Sequence, residues 1–155
     1  FNVSIQTIRL DRLILGIPEL RERTRNAASA YARLKSISEG EVIGELISLE
    51  LGKYAESLLI TSPEMALQRS KVIRGHFLFA QANSLAVAVI DARNVLTGKA
   101  ELSFHKVVRI GEKIRARAVV KRAEKNRYIV EVNSYRDEEL IFSGDFILFA
   151  KEEVE

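Results

Sequence analysis

An arginine, a glycine and a histidine stand immediately before a nearly all-apolar run in the sequence RGHFLFAQANSLAVAVID, from Arg74 to Asp91. Arg74 and Gly75 at a helix start form a potential anion site, because a guanidinium can hold a carboxylate through two parallel hydrogen bonds and a helix N-terminus attracts negative charge. His76 is a candidate base, whereas Asn83 is a neutral amide that can bond to a ligand but cannot accept a proton at neutral pH. The stretch could therefore react on a ligand, hold one, or simply cross the core.

Each of these residues also has a purely structural interpretation. Taken alone, Arg74 fits a surface charge, and Asn83 fits a buried amide bonded to a neighbouring backbone. Gln81 and Ser84, three positions apart, fit residues that bridge a dimer partner or cap a strand. Catalysis by His76 would also need a carboxylate, and neither Asp91 nor Glu101 stands at a spacing that supplies one.

The composition excludes several kinds of site. The chain has 155 residues, of which 47% are hydrophobic and 29% charged, which suits one globular domain with a core of its own. It has no cysteine, so disulfides, thiolate zinc sites and cysteine nucleophiles are excluded, and with two histidines we expect no metal site or cofactor. No apolar run approaches the roughly 20 residues that span a bilayer. We therefore expect a cytoplasmic protein with no membrane partner.

Positive charge is concentrated in the N-terminal quarter. Residues 1–36 contain seven basic and three acidic residues, whereas the whole chain has a net charge of +3. The remainder is therefore close to neutral, and any affinity for polyanions such as DNA belongs to the N-terminal segment.

Two helices are predicted before the main domain. The first lies within residues 1–16, with Ser4 as its N-cap, and the second lies within residues 17–37, with Pro18 in its first turn. Leu20, Ala27, Ala28, Tyr31 and Leu34 form a modest apolar stripe on the second, which is typical of a linker helix that lies against a larger domain.

Strands flank the apolar run on both sides within residues 38–155. The pattern predicts strands at Glu41–Leu51, Ala55–Thr61, Leu96–Phe104, Lys113–Ala123, Arg127–Tyr135 and Leu140–Ala150. The short connections favour antiparallel neighbours. The order β-β-α-β-β-β-β, with one helix apolar on almost every side, indicates an α+β domain of the hotdog fold, in which a curved antiparallel sheet wraps round a central helix. Its exposed sheet edges favour a two-fold homodimer.

Hotdog domains mostly handle acyl thioesters, and the thioesterases among them resemble one another in a glycine turn followed eight positions later by a catalytic Asp or Glu. Counting eight from Gly75 arrives at Asn83, which cannot act as base or nucleophile. A thioesterase, or a dehydratase that uses His76 as base, remains the alternative to a protein without enzyme activity, which we favour.

Two segments of the chain resemble the FapR family of bacterial transcriptional repressors. VSIQTIRLDRL at Val3–Leu13 is similar to the recognition helix of a helix-turn-helix repressor. The stretch from Arg74 to Asp91, with VEVNSY at Val130–Tyr135 and FSG at Phe142–Gly144, is similar to the effector domain of this family. The resemblance implies a repressor of fatty-acid and phospholipid biosynthesis genes that binds malonyl-CoA, or malonyl groups on acyl carrier protein, and then releases DNA.

The resemblance also implies roles for individual residues. Arg74 would pair with the malonyl carboxylate, Gly75 would allow the acyl group to approach, and Asn83 would line the acyl end of the site. Leu67 falls where the family has a pocket aromatic, and Leu96 would line the same pocket. In the recognition helix, Ser4, Gln6, Thr7, Arg9 and Arg12 would contact operator DNA. Because the preceding helices are not in this sequence, we expect operator binding of the full-length protein and weak binding of this chain.

Overall fold

The structure, a computed structural model, describes residues 28–151. Residues 28–33 are helical and lead through a short 3-10 turn, Glu39–Glu41, into the main domain. A second 3-10 turn, Pro63–Met65, precedes the central helix, Gly75–Ala88. The strands are β1 (Glu45–Glu50), β2 (Tyr54–Ile60), β3 (Asn94–Phe104), β4 (Lys113–Glu124), β5 (Arg127–Arg136) and β6 (Glu139–Lys151).

All six strands belong to one antiparallel sheet of order β1-β2-β4-β5-β6-β3. Side chains alternate between its two faces. Ala116, Val132 and Phe146 are completely buried on the core face, which packs on the central helix, whereas Arg117 and Asp145 belong to the outer face. Strands β1 and β3 are the two edges of the sheet.

The central helix is buried on most of its circumference because its residues are apolar on most of it. Leu78, Ala82, Leu85 and Ala86 are at most 3% exposed, and the helix contacts five of the six strands. One side of the helix carries a half-buried strip that includes Phe79 and Asn83. The strip lies at the spacing of one helix face, so one side of the helix is not fully covered within the single chain.

The predicted order of elements is confirmed, and so is the hotdog fold with its single central helix. Strand β1 begins at Glu45 instead of Glu41 because residues 39–41 form a 3-10 turn, in which the backbone N–H of Ser38 donates to the Glu41 carboxylate at 3.1 Å. The predicted DNA-contacting residues, from Ser4 to Arg12, lie outside the described residues. The division of the chain at residues 16 and 37 stays a prediction. Within residues 28–151, no helix is long and apolar enough to cross a membrane.

Residues 28–36, the end of the predicted linker helix, pack against β1 and the central helix. Tyr31 and Leu34 pack on the core as predicted, but Ala28 is exposed and Ala30 is buried in its place. Ala30 lies four residues before Leu34 and therefore on the same side of the helix, whereas Ala28 does not.

Two side chains of this segment bond to the backbone of the edge strand β1. The N–H of Leu46 donates to the Tyr31 hydroxyl at 2.9 Å, and the Arg33 guanidinium donates to the carbonyl of Leu49 at 2.9 Å. Ser36 donates to the carbonyl of Val87 at 2.7 Å at the end of the central helix. The bonds of Tyr31 and Arg33 use backbone groups that the edge strand β1 would otherwise leave unpaired.

Replacing Tyr31 by Phe should destabilise the domain, because it leaves the N–H of the completely buried Leu46 without its acceptor. An unsatisfied buried donor costs about 1–3 kcal/mol. Urea unfolding followed by circular dichroism measures the change. The control is Tyr128→Phe on β5, where the half-buried tyrosine has no hydroxyl bond to a described residue. Equal unfolding midpoints for the two variants would show that the Tyr31 hydroxyl does not hold β1.

Candidate anion-binding site

Arg74 is the N-cap of the central helix and is held by the loop before it. Its backbone is extended, with φ −65° and ψ 135°, and its carbonyl accepts the first helical hydrogen bond from Phe77 at 3.1 Å. The guanidinium donates to the carbonyl of Glu64 at 2.9 Å and to that of Met65 at 3.3 Å, and it lies 5.0 Å from the centre of the Phe77 ring. Carbonyls and a ring therefore fix the position of this half-buried cation.

The positive charge of Arg74 is not neutralised within the described part of the chain. None of its Asp or Glu residues forms an ion pair with the guanidinium, whose two hydrogen bonds there go to neutral carbonyls. The nearby carboxylate of Glu64 is used differently, because the Ser62 hydroxyl bonds to it and holds its pKa below the ordinary value. Since an arginine has five N–H donors, those that remain can receive an anion.

The loop that carries Arg74 is closely hydrogen-bonded. Its two sides meet in a bridge between Ala66 and Ile73, and Leu67 donates to Val72 at 2.9 Å. The N–H of Ile73 donates to the carbonyl of Val108 at 2.7 Å, which ties the loop to the segment between β3 and β4. The loop therefore presents a fixed set of carbonyls to the guanidinium.

Gly75 is in close contact with an aromatic ring of the same chain. A Cβ at this position would lie 3.0 Å from Cε1 of Phe104, whose side chain is 54% exposed at the end of β3. That ring packs edge-on against Phe142, with the ring centres 5.1 Å apart. The missing side chain at Gly75 thus admits Phe104, a neighbour of the site that the sequence did not identify because it lies 29 positions away on another element.

Asn83 lies on the half-buried strip of the central helix and bonds to β3. Its Oδ1 accepts a hydrogen bond from the Thr97 hydroxyl at 2.7 Å. Nine helical positions separate Asn83 from Arg74, a rise of about 13 Å. The two residues are therefore not brought together, and a single ligand that touches both within one chain must be elongated.

Leu67 and Leu96 are exposed, by 50% and 41% respectively. Leu67 lies on the loop before Arg74, and Leu96 lies on the edge strand β3 next to the Asn83 partner Thr97. Neither encloses a pocket within one chain, and the cavities of about 490 and 250 Å³ are lined by residues of the outer face and neighbouring turns. The predicted ligand residues therefore enclose no pocket within the described residues, and Leu96, which precedes Thr97 on β3, points to the opposite face of the sheet from Asn83.

His76 has no geometry for acid–base catalysis in the described part of the chain. Its exposed ring lies against Phe77, with the ring centres 4.3 Å apart. Of the two carboxylates considered as partners, Asp91 pairs with Lys35 at 2.6 Å and Glu101 pairs with Lys99 at 3.3 Å. The described residues also contain no group of three His, Cys, Asp or Glu side chains that could hold a metal ion.

Ser84 bonds to the backbone just before β1, which confirms the prediction that it caps a strand. Its hydroxyl accepts from the N–H of Ile43, just before β1, at 3.1 Å and donates to the carbonyl of Gln81 at 3.0 Å.

The sequence did not identify Phe77, Thr97 or Phe104 as neighbours of the site. Only Phe77 could have been identified from the sequence, because it lies three residues after Arg74.

Solved structures with the same fold are similar to nearly the whole described domain. An uncharacterised protein from Pyrococcus horikoshii is 31% identical, with a TM-score of 0.72 over 77% of this chain and 93% of that chain. A sigma28-regulated virulence protein from Campylobacter jejuni is 24% identical, with a TM-score of 0.77 over 83% of this chain and 92% of that chain. At such identity the second likeness shows the fold alone.

No protein-family model matches the chain, but curated proteins do. Transcription factor FapR of Bacillus subtilis is 53% identical over 153 residues, which cover 96% of this chain and 81% of that protein. Transcription factor FapR of Halalkalibacterium halodurans is 48% identical over 150 residues, with the same two coverages. Because these matches extend over nearly all of this chain and most of each relative, the chain belongs to the FapR family of transcription factors.

Proposed function

We propose that this chain is the effector-binding part of a transcriptional repressor of fatty-acid and phospholipid biosynthesis genes, and that malonyl-CoA is the inducer that releases it from DNA. The observation that carries the proposal is the guanidinium of Arg74, which has no ion-pair partner among the described residues and is fixed by the carbonyls of Glu64 and Met65 at the start of the central helix. Such a cation suits a small carboxylate, and a malonyl group differs from an acetyl group by that carboxylate. Its membership of the FapR family supports a regulatory role.

The length of the ligand is compatible with the distance between Arg74 and Asn83. A malonyl thioester on a pantetheine arm is long enough to follow the central helix over the roughly 13 Å between Arg74 and Asn83. Leu67, on the loop before Arg74, and Phe104, against Gly75, supply exposed apolar side chains at the start of that path. The same arm occurs on acyl carrier protein, so malonyl carrier protein is a second possible source of the same group.

A protein that senses a thioester must leave it intact. Asn83 is a neutral amide whose Oδ1 already accepts a hydrogen bond from Thr97, so it offers neither a base nor a nucleophile. His76 has no carboxylate partner among the described residues. These two features, together with relatives that are transcription factors, favour a binding protein over a thioesterase or dehydratase.

We further propose that the chain acts as a homodimer through the edge strand β3. The opposite edge, β1, is covered by residues 28–36, whereas no described segment covers the eleven residues of β3. Leu96 and Phe104 are exposed along that edge. A second copy paired there would bury both and supply the missing wall of the ligand surface.

Charge complementarity indicates the register of this pairing. If the two-fold axis passes through Ala100, Lys99 of one copy lies opposite Glu101 of the other on the outer face, twice per dimer. An axis at Lys99 would place like charges together, which is unfavourable. A symmetric dimer of two DNA-reading segments also requires a palindromic operator. The excess of basic residues in 1–36 favours contact with DNA phosphates.

Replacing Arg74 by Ala should abolish specific recognition of malonyl-CoA, because the carboxylate loses its charged partner. Truncating one member of such a pair costs about 2–5 kcal/mol. Isothermal titration should show saturable binding of malonyl-CoA to the wild type, much weaker binding of acetyl-CoA, and no difference between the two ligands for Arg74→Ala.

The matched control is Arg69→Ala, which removes an exposed arginine from the same loop. It should keep the wild-type preference for malonyl-CoA. A preserved preference in Arg74→Ala, or an equal loss in both variants, would remove Arg74 from this role.

Reversing one charge on β3 should weaken the dimer. Lys99→Glu places like charges opposite each other at two points, and the dimer dissociation constant should rise about three- to tenfold. Adding Glu101→Lys restores opposite charges and should return the constant to near its wild-type value. Sedimentation equilibrium measures all three proteins. A wild-type monomer would contradict the dimer, and a double variant as weak as Lys99→Glu would contradict the register.

A further inference from the structure

Gln81 is a completely buried amide in the middle of the central helix, among alanine and leucine neighbours. Its Nε2 donates to the carbonyl of Ile114 on β4 at 3.1 Å and to the hydroxyl of Ser57 on β2 at 3.2 Å. The carbonyl of Ser57 lies at 3.4 Å from the same nitrogen. One side chain thus ties the helix to two adjacent strands through groups with fixed positions.

Two buried polar atoms, one on Gln81 and one on Ser134, lack hydrogen-bond partners within residues 28–151, and one of them can donate whereas the other only accepts. Gln81 Oε1 and Ser134 Oγ are both inaccessible to solvent, and neither has a hydrogen-bond partner among the described residues. The register places Ser57 beside Ala116 and Ala116 beside Ser134, so the two serines lie in one row across β2, β4 and β5 on the core face. The amide oxygen can only accept, the serine hydroxyl can donate, and an unmet need at either atom is costly.

We infer that Gln81 is the positioning residue of the effector site. Ser134 donates to Oε1 through one water molecule, and the completed cluster of Ser57, Gln81 and Ser134 fixes the central helix along and around its axis. Leu85 and the alanines of the helix can pack in more than one register, whereas a directional bond to the carbonyl of Ile114 allows one. The inference rests on the proposed function for its consequence, because Arg74 and Asn83 both stand on this helix.

The link to specificity is geometric. Arg74 caps the helix seven residues before Gln81, about two helical turns along its axis, so a shift of the helix at Gln81 also moves Arg74. A misplacement of about 1 Å at a binding group can cost up to about 100-fold in its effect. Releasing Gln81 should therefore harm the recognition of the carboxylate more than the binding of the apolar arm.

Gln81→Leu tests the positioning role through ligand preference. We expect the ratio of malonyl-CoA to acetyl-CoA affinity, measured by isothermal titration, to fall about tenfold or more. The control is Val132→Ala, which removes buried volume from the same core face and should lower the unfolding temperature while keeping the ratio. A ratio within about twofold of wild type in Gln81→Leu would overturn the inference. If Gln81→Leu does not fold, Gln81→Met, which keeps the chain length, carries the same comparison.

A double-mutant cycle tests the cluster without any ligand. Ser134→Ala should lower the unfolding midpoint in the wild type, because it leaves Oε1 without a donor, and should lower it much less in Gln81→Leu, where that need is gone. Equal shifts in both backgrounds would overturn the assignment of Ser134. If the wild type binds neither thioester, the proposed function fails, while this cycle still decides whether the buried cluster exists.

Discussion

The central constraint of this structure is the burial of a helix that is apolar on almost every side. Such a helix is stable only if a sheet curves round it, and the antiparallel order β1-β2-β4-β5-β6-β3 provides that cover. Cover by one chain is incomplete, because the strip of the helix that includes Phe79 and Asn83 stays half-exposed. The apolar central helix therefore both stabilises the core and leaves one strip of its surface available for binding.

Polar contacts give this apolar assembly its direction. Arg74 ties the start of the helix to the loop before it, Gln81 ties the middle to β2 and β4, and Ser36 ties the end to the segment that covers β1. Each bond joins the helix to a different part of the domain. Hydrophobic burial supplies most of the free energy of folding, but it is non-directional, so these bonds select one arrangement among many similar ones.

The sequence predicts the fold well because period and length are local properties. Alternation in residues 113–121 and the unbroken apolar run after Gly75 define a strand and a helix without any tertiary information. The apolar stripe predicted on the linker helix is partly wrong, since Ala30 is buried where Ala28 was expected.

The site was less predictable, because its neighbours come from distant parts of the chain. Arg74 could be identified from its charge next to a glycine at a helix start, but the carbonyls of Glu64 and Met65 that hold it depend on the path of the loop. Phe104 meets Gly75 only because β3 returns along the helix. Leu67 and Leu96 were predicted from resemblance, and their exposure shows that a site would need a further surface.

The most direct measurement is a crystal structure of this chain with malonyl-CoA. We predict that the malonyl carboxylate lies at hydrogen-bond distance, about 2.7–2.9 Å, from the Arg74 guanidinium, with the pantetheine arm running past Asn83 and β3. A carboxylate bound elsewhere, with Arg74 still bonded only to its loop, would contradict it.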